Sequence, residues 1–478
     1  MTRRTKIVAT LGPATDDPEI LKQIIDAGMD VARINFSHGE QDDHRARIEA
    51  LRTASEACGR EIGLMGDLQG PKIRVRRFKG SKATLKDGAK FFLDATLGLN
   101  DGNDEGVGVA YPNLHEDLKA GDVLLLNDGQ ITLRVDSIEG SRVHTTIMLG
   151  GILSDHKGIN RQGGGLSVGA ITNTDREYIK FAADMGMDFL AISFVRNADD
   201  VNEARELFKS AGGDGLIVAK IERAEAVDRI ESIIDATDII MVARGDLGVE
   251  MGYAELTGMQ KRIIRLTRTN NKVVITATQM MESMIKNPIP TRAEVSDVAN
   301  AVMDGTDAVM LSAETAVGDY PVSVIAAMSE VCSGAEKHVL ARGRTSHRLD
   351  DRFHRVDEAI AMAVMYTANH LDVKAIIALT ESGTTTLWMS RIRSDIPVYA
   401  FTPHASTGRR VTLYRGVYPV SFQLETSDLE RLYQSIFKTL LSNDLVEAGD
   451  LVIFTKGDLS GVSGGTNSMK IVRVTSTG

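Results

Sequence analysis

The sequence predicts an α/β protein: a (β/α)8 TIM barrel with an inserted β-barrel domain and a separate C-terminal α/β domain. Three observations carry this. Short β-branched apolar runs alternate with helical patterns from the start of the chain. The alternation breaks once, between about residues 70 and 167, into short β-rich pieces with no long helix. Three strand-like runs precede the break and five follow it. Eight parallel βα units over roughly 240 residues are what a closed barrel requires. An open doubly wound sheet would show a glycine-rich phosphate loop after its first strand, and Leu11-Gly12-Pro13 is no such loop.

The elements follow in order. Strands are expected at 6–11, 31–36 and 62–68, with an amphipathic helix at 18–28 that stops on a glycine and a polar-faced helix at 41–58. The insertion then shows strand-like pieces at 90–93, 122–126, 131–135 and 142–147, with Asp87-Gly88 and Asp128-Gly129 as turns. It reads as a small β-barrel or sandwich. Strands resume at 189–194, 216–221, 239–242, 273–278 and 308–312. Helical patterns at 175–185, 198–211, 224–235, 256–269, 292–303 and 322–339 separate or follow them. Residues 341–355 lack apolar periodicity and read as a linker. The last domain alternates again, with strands at 375–379, 397–401, 451–455 and 471–474. The expected divisions are 1–69 and 169–343 for the barrel, 70–168 for the inserted lid and 344–478 for the C-terminal domain.

The bulk numbers exclude some functions. With 55 basic and 65 acidic residues the net charge is −10, the wrong sign for a general nucleic-acid binder. Cys58 and Cys332 are the only cysteines, far apart and without metal spacing, which fits a reducing compartment. No run approaches the ~18 apolar residues of a membrane span, and no apolar leader precedes the first strand. A cytoplasmic location with no membrane or nucleic-acid partner is expected.

Polar residues collect at the ends of the barrel strands, the face on which such barrels place their active sites. The second strand delivers Arg33-Ile34-Asn35-Phe36-Ser37-His38, and the third delivers Asp67 and then Lys72 and Arg74. The fifth gives Lys220 and Glu222, which share one face of the strand. The sixth gives Arg244, Gly245 and Asp246, the seventh Thr276, Thr278 and Gln279, and the eighth Ser312 and Glu314. Taken alone, Lys-x-Glu is usually a surface ion pair and Gly-Asp a turn. Together at one mouth they make a site. Glu222 and Asp246 are hard oxygen ligands for Mg²⁺ or Mn²⁺. Lys220 can neutralise charge on a transferring phosphoryl group or an enolate, and Arg33 and Arg74 offer planar donors to phosphate.

The stretches TKIVATLGP, RINFSHG, GDLQGPKIR, IVAKIE, VARGDLGVE, ITATQMMESMI, PTRAEVSDVANAVMDGTDAVMLSAET and GDYP resemble the pyruvate kinase family over essentially the whole chain. The resemblance implies phosphoryl transfer from phosphoenolpyruvate to ADP, giving pyruvate and ATP in the last step of glycolysis. It also implies a homotetramer regulated through its C-terminal domain. By motif match, Glu222 and Asp246 hold the divalent ion, and Lys220 stabilises the transferring group. Arg33 contacts the phosphoryl group, and Gly245, Asp246 and Thr278 line the phosphoenolpyruvate site. Asn35, Phe36, Ser37, His38, Arg74 and Lys157 face the nucleotide. Thr278, through a water, is the candidate protonator of the enolate.

Two further expectations rest on the same resemblance. Members that use K⁺ hold it with residues matching Asn35, Ser37, Asp67 and the Leu68 carbonyl, and carry glutamate where this chain has Lys72. An ammonium there is expected to replace the ion, so K⁺ is not required. Thr380, Glu381, Ser382, Gly383, Thr384 and Thr385 match the loop that binds an effector phosphate, with a second loop at 460–466. That second loop lacks a tryptophan or basic cluster, and the one tryptophan, Trp388, lies elsewhere. A sugar monophosphate or nucleotide monophosphate is expected ahead of fructose 1,6-bisphosphate. The rival readings are a metal-dependent carbon–carbon lyase on the same barrel and a catalytically silent sensor. The lyase has no need of the lid lysine Lys157 or of Arg74, and the sensor has no need of an intact Lys220, Glu222, Asp246 and Thr278.

Overall fold

The computed structural model describes residues 3–341, 352–423, 428–457 and 464–475. Eight parallel strands close into a barrel: β1 (Lys6–Thr10), β2 (Val31–Asn35), β3 (Gly63–Asp67), β4 (Phe189–Ile192), β5 (Leu216–Ile221), β6 (Ile239–Ala243), β7 (Val273–Ala277) and β8 (Ala308–Leu311). Each strand pairs with its neighbours in sequence, and β8 closes on β1. Helices cover the outer face, so the strands are buried on both sides and read as near-continuous apolar runs. The register sets Asn35 beside Asp67 and Asp67 beside Ala191. That alignment brings the polar strand ends to one level.

The barrel interior is filled by Val8, Val31, Met65, Phe189, Val218, Met241, Ile275 and Met310. The same apolar cluster continues into Met362, Met365, Ile376 and Val411 of the C-terminal domain. The barrel floor and that domain therefore share one core.

Between β3 and β4 the chain forms a six-stranded sheet and a two-stranded sheet, Lys82–Leu85 with Gly151–Ser154. Both contribute to one core, with Leu85 and Leu153 packed among Phe91, Leu124, Leu133 and Val143. Of the two expected forms the insertion takes the barrel-like one: residues 73–76 bond on one side to residues 157–159 and on the other to residues 108–110, which joins the two ends of the six-stranded sheet. It also holds a one-turn helix, Leu114–Asp117.

Other local differences have physical causes. The helix expected at 224–235 breaks at Arg229 into Ala224–Asp228 and Ile230–Ala236. The helix expected at 256 starts at Tyr253, on the positive-φ Gly252. The C-terminal sheet has five strands, not four. The unexpected one, Val417–Ser421, lies at the sheet edge and contains Pro419, which lacks a backbone donor and masks a strand in sequence. Most of the expected linker, residues 342–351, lies outside the described residues, as do residues 460–463 of the expected second effector loop. Among the described residues no helix is long and apolar enough to cross a membrane.

Candidate active site at the barrel mouth

Lys220 ends β5 pointing into the mouth, where its ammonium meets Asp67 Oδ1 at 3.1 Å, Glu222 Oε1 at 3.1 Å and Ser193 Oγ at 2.7 Å. Asp67 is fully buried, and its second oxygen accepts from Arg33 Nε at 2.6 Å. Arg33 Nη1 donates to Thr10 Oγ1 at 2.9 Å. Burial alone would raise the Asp67 carboxyl, but Lys220 and Arg33 outweigh it and hold the group below the usual carboxylate range. Burial would likewise lower Lys220, yet Asp67 and Glu222 reverse this and keep it above the ordinary lysine value. The result is a charged lysine and arginine on a buried ionised carboxylate, fixed before any ligand arrives.

Glu222 accepts the Phe194 N–H at 2.7 Å. Burial and the nearby Asp246 carboxylate push it above its ordinary value, against the pull of Lys220. Two carboxylates that repel each other in a buried mouth suit a divalent cation. Among the described residues no group of three or more His, Cys, Asp or Glu gathers for a metal. A site with two protein carboxylates fits Mg²⁺, which takes its other ligands from water and substrate phosphates.

Gly245 and Asp246 lie in the first turn of the helix Arg244–Met251. The Gly245 N–H donates to Thr278 Oγ1 at 2.9 Å, and a Cβ at Gly245 would meet nothing nearer than that hydroxyl at 3.7 Å. The space over the helix N-terminus is thus left open for an anion. Thr278 and Gln279 have φ of 68° and 53°, a region costly for residues with a Cβ. Arg244 holds them there: its guanidinium donates to the carbonyls of Thr278 at 2.6 Å, Gln279 at 3.3 Å and Ala277 at 3.2 Å, and pairs with Asp297 at 2.6 Å.

Lys72 does not join Asn35, Ser37 and Asp67 as expected. It lies on the segment leading from β3 into the insertion, and its ammonium reaches across the mouth to Asp246 Oδ1 at 3.0 Å, with Asp128 at 3.9 Å. Arg33 and Lys220 already fill the Asp67 oxygens, and the Leu68 carbonyl accepts Ser193 Oγ at 2.7 Å. Phe36 also departs from expectation. Its ring is buried against Tyr178 at 4.5 Å and His44 at 5.4 Å, in the layer between barrel and helices. Asn35 Oδ1 accepts the Ser37 N–H at 3.2 Å, and His38 is exposed. Arg74 and Lys157 come together in the insertion: Arg74 pairs with Gly158 and donates to the His156 carbonyl at 2.9 Å.

Thr276 and Glu314 are structural. Thr276 is buried on Thr306 at 3.0 Å, and Glu314 ties the β7 and β8 loops by accepting the N–H groups of Met281 and Ser312. Ser193 and Phe194, beyond β4, went unread, although a serine at a barrel-strand end is the same kind of signal as the others. The C-terminal loop is internally ordered. Thr380 Oγ1 accepts the Gly383 N–H at 2.9 Å, Ser382 and Thr384 hydroxyls meet at 2.9 Å, and Thr385 meets Thr466 at 2.7 Å. Glu381 pairs with His404 at 2.6 Å.

Comparison with known proteins identifies this arrangement. Residues 2–325 match the family model described as "Pyruvate kinase, barrel domain", and residues 358–472 match "Pyruvate kinase, alpha/beta domain". The chain is 52% identical over 476 residues to pyruvate kinase II of Salmonella typhimurium, covering 99% of each chain. It is 51% identical over 459 residues to a pyruvate kinase of Haemophilus influenzae, covering 95% of this chain and 96% of that one. It is 40% identical over 475 residues to a pyruvate kinase of Mycobacterium tuberculosis, covering 99% of each. The chain belongs to the pyruvate kinase family.

Proposed function

We propose that the barrel mouth carries out the family's reaction, phosphoryl transfer from phosphoenolpyruvate to ADP, with the residues assigned as follows. The observation that carries this reading is the Lys220 ammonium, set between Asp67, Glu222 and Ser193 beside the Asp246 carboxylate. Arg33 and Lys220 bind the phosphoryl oxygens. Lys220 then faces the charge that develops as the phosphoryl group leaves the enolate oxygen. The Gly245 N–H, at the start of its helix, and Thr278 orient the substrate carboxylate. Thr278 Oγ, relayed through water, delivers the proton to the enolate carbon that completes pyruvate. Glu222 and Asp246 hold Mg²⁺ or Mn²⁺, which supplies Lewis-acid neutralisation of phosphoryl and enolate oxygens when bound. Asn35, Ser37, His38, Arg74 and Lys157 position ADP, and closure of the inserted domain, residues 70–168, excludes water. A coupled assay tests the reading: pyruvate formation must require ADP, and pyruvate released without ADP sinks it.

The remaining assignments have narrower support. The Lys72 ammonium on Asp246 brings a fixed cation to the mouth, so catalysis proceeds without K⁺. A large loss of activity when a bulky organic cation replaces K⁺ would refute this. The loop of Thr380, Glu381, Ser382, Gly383, Thr384 and Thr385 takes the phosphate of a sugar or nucleotide monophosphate activator. Saturation by fructose 1,6-bisphosphate alone would count against that choice. Exposed Val356, Tyr366 and Ile471 on the C-terminal domain support assembly into a homotetramer, checked by sedimentation. The enzyme is assigned to the cytoplasm.

A further inference from the structure

The floor of the barrel meets the C-terminal domain in a cleft lined by Arg4, Arg268, Arg393 and Arg415, with Ser390 and Ser394. The cleft is narrow, with a cavity volume of about 30 Å³. The arginines come from both sides of the seam: Arg4 and Arg268 from the barrel, Arg393 and Arg415 from the C-terminal domain.

Among the described residues, one carboxylate lies within ion-pair reach of any of the four. Glu336 is 3.5 Å from Arg4 Nε and 3.7 Å from Arg415 Nη2. It already accepts the backbone N–H groups of Arg4 at 3.0 Å and Thr5 at 2.6 Å. Neighbouring Asp307 is taken by Arg391 at 2.6 Å and 3.0 Å, and Asp304 by Lys261 at 2.6 Å. Arg268 donates to the Arg391 carbonyl at 3.5 Å and Arg393 to the Met303 carbonyl at 3.1 Å. Neither has a described carboxylate partner. Gly305 allows the two to converge: a Cβ there would fall 3.2 Å from Arg393 Nη2 and closer still to Arg268 Nη1. Burial, joined by the charges of Arg391, Arg393 and Arg415 and opposed by Asp307, pushes Arg268 down to about 10. Burial also lowers Arg393 and Arg415. Guanidinium stays charged at neutral pH, so this half-buried excess of positive charge is left for an anion to neutralise.

We propose that this cleft binds a phosphate-type dianion, inorganic phosphate or the phosphoryl group of a small metabolite, held by Arg268 and Arg393 with Arg4 and Arg415 beside them. Planar guanidinium forks match phosphate oxygens, and a dianion neutralises the two unpaired groups without a metal. The ligand bridges the seam, one arginine from each domain. The helix Thr384–Ser390 starts at the loop of Thr380–Thr385 and ends at this cleft, so the ligand stiffens the contact between that loop and the barrel.

The test uses the full chain in EDTA with inorganic phosphate as the probe, read by thermal shift and calorimetry. Phosphate is expected to raise Tm beyond chloride at matched ionic strength. The double variant Arg268→Gln/Arg393→Gln is expected to weaken binding by at least about tenfold. No shift in the unsubstituted protein overturns the proposal. So does a response unchanged in the double variant, or one removed only by Thr384→Ala. A second readout needs no variant: phosphate should slow phenylglyoxal modification of Arg268 and Arg393, mapped by mass spectrometry. Protection confined to Arg33 overturns the assignment.

Discussion

At the barrel mouth, Arg33, Lys72 and Lys220 face Asp67, Glu222 and Asp246, with ion pairs of 2.6 Å, 3.0 Å and 3.1 Å. At the barrel floor, Arg4 and Arg415 face Glu336 across 3.5 Å and 3.7 Å, while Arg268 and Arg393 beside them face no described carboxylate within ion-pair reach. Both clusters suit phosphate, but their balance differs. Among these six groups the mouth is balanced, three cations against three carboxylates, with Asp128 a further 3.9 Å from Lys72. A substrate carrying a phosphate and a carboxylate gains little net attraction there until a divalent ion adds charge. The floor holds excess cation and needs no metal. On the two proposals, one fold has a metal-conditional phosphate site at the strand C-termini and a metal-free one at the strand N-termini.

Chelation separates the two ends most sharply. Removing divalent ions is expected to abolish turnover and calorimetric binding of phosphoenolpyruvate, while the phosphate response of the floor persists. Phosphoenolpyruvate bound equally well in EDTA would break the comparison.

Within the mouth, Lys220→Met removes the cation that joins Asp67 to Glu222. kcat is expected to fall by about a thousandfold or more, because the lost charge acts where the transition state develops it. Mn²⁺ affinity should survive, since Glu222 and Asp246 remain. Unchanged turnover would refute the role given to Lys220.

At the floor, Arg391 and Asp307 form an ion pair with both side chains almost fully buried, 2% and 1% exposed. Arg391→Met leaves Asp307 charged and unpaired, an error worth about 3–5 kcal/mol of unfolding free energy. Urea denaturation measures it. A loss below about 1 kcal/mol would mean that the surrounding arginines re-pair with Asp307, and would sharpen the account of the floor as cation-rich.

The mouth was legible in sequence and the floor was not, for a physical reason. Lys220, Glu222, Gly245 and Asp246 each stand at the end of a buried strand, so an apolar run followed by a charge announces them. Lys72 was seen, but its partner depends on how the insertion lies against the helix Arg244–Met251. Neither strand period nor helix period encodes that. Phe36 is assigned to the nucleotide by motif match, although alternation turns its ring away from the mouth and into the layer of helices, against Tyr178. Arg4, Arg268, Arg393 and Arg415 come from four separate segments, and each alone is an ordinary surface arginine. Only the packing of two domains on one core makes them a cluster. The edge strand Val417–Ser421 was hidden by its proline.

The smallest expected effect concerns the rim that joins the mouth to its lid. Glu250, almost fully buried, accepts the Ala224 N–H at 3.0 Å and Asn160 Nδ2 at 3.3 Å, and its carbonyl accepts the Gly163 N–H at 3.1 Å. It thus fastens the end of the insertion to the barrel. Burial, with the Glu225 charge added, raises its carboxyl from 4.5 to about 7, against the Ala224 bond and Arg223. A raised folded-state value means the fold favours the protonated form. That stability is complete below the unfolded value and is lost as pH climbs through the folded one, to a limit of about 3 kcal/mol. Between about pH 5 and pH 8 the hinge should therefore loosen, and Tm should fall. Glu250→Gln keeps a neutral group of the same shape and should flatten that part of the Tm profile. Hydrogen exchange at 160–166 should lose its pH-dependent excess in the same variant, after correction for intrinsic rates. An equal slope in Glu250→Gln would place the titrating group elsewhere, and would leave the lid's hold on the mouth independent of pH.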